Sequence, residues 1–463
     1  MKKFILSLFV GLSAIFSAQA THLMGGEITV LDIGNNQHVV TLIAYRDTVG
    51  IQMTTAANIQ FDGPNNQNFM RTVPYDSIIS GNLLPMYPYG VEIYLFVDTV
   101  TFPSLGLWNI SWRNCCRNAA IQNLANPLGD NMLLQTSVIL DSVGNSSPFF
   151  LVPAAIYLPQ NTPWQYNALP FDLDGDSLYW SIDTPLTDVG LYCAGYTDPS
   201  SDPTNPFSID PITGTISWTA NMLGNHVASI LVDQYRDGNW IGEIRRDMQF
   251  IVVSPTGGFP TWSGLSSMPK DSNNHFSFDL AEGQSFSLEM VATHTDTSRP
   301  VFIEAYGEIF QMANSNARFT RKKSTSEVKG TLTWTPQTGD LREDPYLVVF
   351  RASDRFITDD KSVKLNVTSA VGLTEGAAIN TLKMYPNPAG EQLFIDYVSQ
   401  SSEDLKLTVH SLHGQVILST QTLEANSGKN VFVLNIGHFA PGAYLVSVTG
   451  EDGLVQNQII VKQ

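Results

Sequence analysis

Charged residues are scarce in this chain: Asp, Glu, Lys and Arg make up 15% of its 463 residues. The shortage falls on the basic side, with 25 Lys and Arg against 43 Asp and Glu and a formal net charge of −18. Nucleic acid and anionic membrane both reward clustered Lys and Arg, so this balance argues against either as a partner. The one basic cluster, Arg318 with Arg321, Lys322 and Lys323, lies among Ser, Thr and Asn and reads as a solvated hairpin tip. Long apolar runs are also missing. Beyond the amino-terminal stretch nothing approaches the roughly 20 residues of a spanning helix, so no transmembrane helix is expected. Cysteine occurs three times, at Cys115, Cys116 and Cys193, with no Cys/His spacing suited to zinc. The motifs H-E-x-x-H, G-x-S-x-G, G-x-x-x-x-G-K and G-x-G-x-x-G are absent. The expectation is a chain without enzymatic activity.

What is present is strand pattern, from Thr21 onward. Runs of five to eight residues rich in Val, Ile, Tyr and Phe are separated by Asn, Gly, Pro and Asp clusters. Turn signals about every 8–12 residues indicate β-sandwiches. The predicted organisation is all-β. A signal peptide at 1–20 precedes β-sandwich segments at 21–150, 151–254 and 255–370. A small-residue linker at 371–380 leads to a terminal β-sandwich at 381–463. The signal peptide reads from Lys2 and Lys3, the apolar run Phe4 to Phe16 and the Ala18-Gln19-Ala20 cleavage site. In an exported chain an odd cysteine count leaves one thiol over. Pairing of Cys193 with Cys115 or Cys116 is the plainest arrangement, since a bond between adjacent cysteines closes a very small ring.

The first segment holds Thr21-His22-Leu23-Met24-Gly25-Gly26-Glu27, then Tyr45-Arg46-Asp47, then Cys115-Cys116-Arg117-Asn118. Together these resemble the amino-terminal module of bacterial surface proteins associated with gliding motility and adhesion. Thr48 stands where that family usually has a cysteine. The second segment, with Asp172-Leu173-Asp174-Gly175-Asp176 and Asp210-Pro211-Ile212-Thr213-Gly214, resembles the cadherin-like and immunoglobulin-like repeats of such proteins. Gly330-Thr331-Leu332-Thr333-Trp334 in the third segment repeats Gly214-Thr215-Ile216-Ser217-Trp218, a weak internal repeat.

Asp172, Asp174 and Asp176 are the candidate metal site. Acidic residues spaced by two around a glycine can turn three carboxylates onto one hard cation, and Ca²⁺ is the candidate, with Asp210, Asp233 or Asp237 available to complete a shell. A solvated Asx-rich turn is the competing reading. Trp218 and Trp334 sit at matching positions, which favours core packing over a sugar-stacking platform. His294 and Asp296 share a strand face with no nucleophile beside them. The alternative to a non-enzymatic protein is a secreted hydrolase, carbohydrate- or peptide-directed, whose acids lie far apart in the chain.

From Leu382 the alternation sharpens: Leu393, Ile395 and Tyr397, then Leu405, Leu407 and Val409, then Tyr444, Val446 and Val448. With Tyr385-Pro386-Asn387-Pro388, Gly414 and Gly442, this order resembles the type A C-terminal sorting domain of the type IX secretion system. The resemblance implies export by the signal peptide, passage across the outer membrane and contact with the type IX machinery. The function expected of the whole is a secreted or cell-surface adhesin-like protein that meets a protein or glycan ligand through loops at sandwich ends.

Overall fold

A computed structural model describes residues 23–463 except 50, 81–89, 155–156, 202–203, 313, 324–326, 369–381, 400–401, 413–415 and 451–454. The expected signal peptide and linker and the motif residue Gly414 lie outside the described residues. Among the described residues the chain is all β, interrupted by short 3-10 turns, and no helix is long and apolar enough to cross a membrane.

The first segment supplies seven long strands: β1 (Leu23–Gly34), β2 (Gln37–Asp47), β3 (Ala56–Asp62), β4 (Asn68–Ser80), β5 (Val91–Thr101), β6 (Gly106–Cys115) and β7 (Asn131–Leu140). The second supplies β8 (Ser177–Asp183), β9 (Gly224–Arg236) and β10 (Asn239–Val253), with two- and three-residue strands before β8 and between β8 and β9. All ten belong to one sheet, ordered β1-β2-β5-β4-β3-β6-β7-β10-β9-β8, and β10 also pairs with β1. The hydrogen-bonded path of the first segment therefore closes on itself through a strand of the second. β10 pairs with β7 over Gly242–Ile244 and with β1 at Asp247 and Met248, while its full length pairs with β9. Backbone hydrogen bonds thus cross the expected boundary at 150/151.

Alternation decides what each strand buries. Val40, Leu42 and Ala44 of β2 face a core with Ile59, Phe61, Phe96, Trp108 and Leu134, while Ile43 and Tyr45 face a second cluster with Leu95, Tyr157 and Ile251. β2 is covered on both sides, as apolar residues on both of its faces require. The second segment has its own core around Trp164, Tyr166, Phe207, Trp218, Ile230 and Phe250. The third segment packs a four-stranded sheet, in which Phe276–Ala281 runs parallel to Thr358–Thr368, against antiparallel strands that include Phe286–His294 and Glu327–Trp334. Val363, Leu365 and Val367 are buried there and Ser362, Lys364 and Asn366 are not. Trp218 and Trp334 are both core residues, 7% and 1% exposed.

The terminal segment forms seven strands. Leu382–Tyr385, Gln392–Ser399 and Gly428–Asn435 make one sheet. Val416–Ala425, Glu403–Ser411, Gly442–Thr449 and Val455–Lys462 make the other, which joins the third segment's sheet through a single pairing at Phe319 and Val455. Leu393, Ile395, Leu405, Leu407, Val446 and Ile460 fill the space between.

Candidate functional site

The acidic loop enters β8 from Phe171. Asp172 is 7% exposed. Its Oδ1 accepts the backbone N–H groups of Asp174 and Asp176 at 2.9 and 3.0 Å, an Asx turn that wraps the loop about its first carboxylate. One carboxylate oxygen from each of Asp172, Asp174 and Asp176 lies within 4.8 Å of the others. So close a set of like charges is costly unless compensated, and β9 supplies the compensation. The Arg236 guanidinium grips Asp176 with Nε and Nη2, both at 2.7 Å. Gln234, fully buried, aims its amide nitrogen at Asp172 Oδ2 (2.7 Å) and Asp176 Oδ2 (2.8 Å). The Ser146 N–H reaches Asp174 at 2.6 Å. Burial, followed by the neighbouring carboxylates Asp174 and Asp176 and against the backbone donors, pushes the Asp172 carboxyl up to about 7. Two of the expected outer ligands, Asp210 and Asp233, are engaged elsewhere. Asp210 pairs with His275 at 2.8 Å, and Asp233, adjacent to Gln234 on β9, accepts the Trp240 Nε1–H at 2.8 Å on the opposite face of the sheet. The loop can hold a hard cation through its three carboxylates, and Arg236 already occupies part of that role.

The cysteines correct the sequence reading. Cys115 and Cys116 are bonded to each other, and Cys193 is a free, buried thiol. The expected bond from Cys193 to Cys115 or Cys116 is not formed. Cys193 instead packs with Ile121, Leu124 and Val227 and hydrogen-bonds the Arg117 guanidinium. Burial pushes the thiol up to about 11, against the pull of Arg117, so the group is held neutral.

The amino-terminal signature residues converge on β10. Gly25 and Gly26 lie where β1 crosses it, at φ +150° and +159°. A Cβ on Gly25 would stand 2.1 Å from the Asp247 carbonyl oxygen, so a side chain there is excluded by backbone. Glu27, 2% exposed, receives Arg246 Nε at 2.6 Å. Arg117, fully buried, holds Asp247 through Nη1 and Nη2 at 2.9 and 2.7 Å. Burial opposes its charge and the facing Asp247 outweighs that opposition, raising the guanidinium pKa. Asn118 donates to Asp47 at 3.0 Å, and Thr48 exchanges hydrogen bonds with Gly90. These residues act as a clasp.

A second run of buried charge continues into the third segment. Arg246 donates to the Val152 carbonyl and the Tyr166 hydroxyl at 2.9 and 2.8 Å. Arg351 lies over the Tyr166 ring at 5.5 Å, grips Asp360 at 2.8 and 2.9 Å, and donates to the Pro153 carbonyl. His294 is spent in the same manner, between the Asp296 backbone N–H and the Asp354 carboxylate.

In the terminal segment Asn387 fastens the last strand, donating to the Ile459 carbonyl at 3.1 Å and accepting the Val461 N–H at 2.7 Å. Pro386 and Pro388 flank it, both preceded by cis peptides. Tyr385 is 45% exposed and stacks on Phe394 at 5.7 Å. Tyr444 is buried, donates to the Ala440 carbonyl at 2.7 Å, and has its hydroxyl pushed up to about 12 by burial and then by Asp76. Gly442, at φ +156°, opens the Tyr444 strand.

Residues 383–462 match the secretion system C-terminal sorting domain. This is the type IX signal, and the protein is accordingly exported across the outer membrane to the cell surface or the extracellular space. No curated protein matches the chain. Solved structures show distant likeness. An endo-fucoidan hydrolase of glycoside hydrolase family 107 is 13% identical, with 68% of this chain and 44% of that one covered and a TM-score of 0.18. The chain thus spans less than half of that hydrolase. The titin domains Z1Z2 in complex with telethonin are 12% identical, with 49% and 98% covered and a TM-score of 0.17. The eight amino-terminal immunoglobulin domains of Down syndrome cell adhesion molecule are 11% identical, with 95% and 70% covered and a TM-score of 0.19.

Proposed function

We propose that this is a non-enzymatic, adhesin-like protein displayed by the type IX system, in which residues 23–368 form a stiff body for contact and the terminal domain serves delivery. The observation that carries this reading is how the charges of the body are used. Glu27, Asp247, Asp354 and Asp360 are buried and each is partnered by arginine or histidine, so these carboxylates are tied up in holding segments together. The resemblance to gliding-motility modules and cadherin-like repeats supports a surface role of this kind. A bound Ca²⁺ at Asp172, Asp174 and Asp176 is part of the proposal, adding to the Arg236 clamp as a stiffener of the β8–β9 end.

Removing residues 381–463 tests the delivery half: the truncated chain is expected inside the cell, and its normal appearance outside would refute the assignment. For the body, the mature protein is expected to release neither reducing ends from polysaccharides nor fragments from peptides. Turnover of either kind would replace this reading with the hydrolase. Thermal melts with and without EDTA test the ion. A lower Tm in EDTA supports it, and identical curves remove Ca²⁺ from the account.

A further inference from the structure

The joining of two segments into one sheet has a consequence on its outer face, away from both cores. Cross-strand partners run in a single row: Asp62 of β3 opposite Asn109 of β6, Asn109 opposite Ser137 of β7, Ser137 opposite Glu243 of β10, Glu243 opposite Asp233 of β9, and Asp233 opposite Tyr179 of β8. Directly opposed partners share a face, and the cores lie on the other one, since Phe61, Trp108, Ile110 and Val138 fill the first and Ile230, Val232 and Ile244 the second. Six strands at about 4.8 Å spacing make a row about 24 Å long. Every side chain in it carries a carboxylate, an amide, a hydroxyl or a phenol.

Two features of the row are unfavourable for folding alone. Glu243 and Asp233 stand directly opposite each other, an arrangement of like charges that costs stability in a sheet. Asp233 is relieved by the Trp240 Nε1–H. Glu243 is half-buried and makes no hydrogen bond or salt bridge among the described residues; the nearest compensating charge is Arg245, two residues on along β10 and itself paired with Asp183 at 2.6 Å. Tyr179 is 54% exposed, and Trp240 and Tyr235, opposed on the neighbouring strands, are partly exposed beside it. A polar acceptor row flanked by open aromatic rings suits a ligand with many hydroxyl donors and apolar C–H faces.

We propose that this face binds a neutral polysaccharide laid across the strands, with Tyr179 and Trp240 stacking on sugar rings and Glu243, Asp233 and Asn109 taking hydroxyl hydrogen bonds. Charge selects the ligand class. The row holds three carboxylates and no Lys or Arg, so sulfated or uronic-acid chains are repelled. Asp62 accepts Gln60 Nε2 at 2.9 Å and Asp233 accepts the Trp240 Nε1–H, and the open aromatic rings beside these carboxylates favour sugar C–H faces over a basic peptide, the class that polylysine represents in the test. The inference deepens the adhesive reading and rests on it only for the display of the body outside the cell.

The test uses the purified mature protein in native gels containing soluble starch, a galactomannan or a mixed-linkage β-glucan, with dextran sulfate and polylysine as charged comparators. Retardation is expected in at least one neutral gel, unchanged by salt. Tyr179→Ala and Trp240→Ala are each expected to weaken it about tenfold, the equivalent of about 1.4 kcal/mol. Glu243→Gln preserves shape and is expected to weaken it less, about threefold to tenfold. Tyr192→Ala, an exposed tyrosine outside the row, should leave it intact. Unaltered melting curves show that the variants fold. Absence of retardation in all three neutral gels, retardation that none of the three row variants changes, or binding to polylysine that salt abolishes would each overturn the proposal. Export of the protein is scored separately, so failed binding with normal export sinks this inference and leaves the delivery reading standing.

Discussion

The clasp around β10 and the terminal domain solve the same problem, holding strands in register, by opposite means. At β10 the joints are charged: Arg117 with Asp247 and Arg246 with Glu27 are each no more than 3% exposed as side chains. The terminal domain is held by Leu, Ile, Val and Tyr side chains, and its Lys429–Asp396 pair leaves Lys429 64% exposed. A buried ion pair adds little net stability over an apolar pair of equal volume, yet it penalises heavily any arrangement in which one partner is missing. That suits a junction between segments distant in sequence, where a wrong register must be rejected. An apolar core rewards burial whatever lies outside it, which suits a domain whose strands are close in sequence.

The largest effect expected from this contrast is at Arg246. Arg246→Ala leaves Glu27 buried and unpaired and should cost about 3–5 kcal/mol in urea denaturation. The double variant Glu27→Leu with Arg246→Met should recover most of that loss. A single variant costing under 1 kcal/mol would show that charge is not what holds the joint. Gly25→Ala comes next. Its Cβ meets the Asp247 carbonyl and its φ is hostile to any side chain, so about 3 kcal/mol is expected. A wild-type melting curve would mean that β1 and β10 are not packed as described.

Asp172 gives a smaller effect with a definite sign. Burial pushes its carboxyl up to about 7, from 3.8 for an ordinary aspartate. The folded state therefore holds the proton longer, and the stability this provides is full below pH 3.8 and lost as pH rises toward 7. Asp172→Asn, neutral throughout, should gain on the wild type by on the order of 2 kcal/mol between pH 5 and pH 8 in EDTA. A constant difference between the two proteins across that range would show that Asp172 is not buried as a titrating acid.

How far the sequence discloses this depends on distance along the chain. Strand patterning is local, so Leu393, Ile395 and Tyr397, and Leu405, Leu407 and Val409, are legible as core, as are Trp218 and Trp334. The convergence of Asp172, Asp174 and Asp176 is local too, because an Asx turn needs only neighbouring residues. Their compensation is not: Gln234 and Arg236 come from a strand about 60 residues later. Arg246 meets Glu27 across 219 residues, and no periodicity records that pairing. The signature motifs displayed half of the clasp while hiding the half on β10. The cysteines were misread for a related reason. Ring size argues against the adjacent pair, but nothing in the spacing shows that Arg117 fills the place beside Cys193. In β5, Tyr94 and Phe96 face the first core while Leu95 faces another cluster, a two-sided burial that alternation alone does not assign.

The smallest expected effect is at Lys429, and it bears most directly on the terminal domain. Its ammonium lies 2.8 Å from Asp396, which raises the lysine pKa by hydrogen bonding and charge. The ammonium is well solvated, so holding a long side chain in place offsets most of what the contact gains. Lys429→Ala should therefore move the urea midpoint barely beyond error, and raising the salt concentration should shrink even that. Leu407→Ala in the same domain removes a fully packed side chain and should cost about 2–5 kcal/mol. If Lys429→Ala proved as costly as Leu407→Ala, the terminal domain too would depend on its charges, and the contrast with β10 would fall.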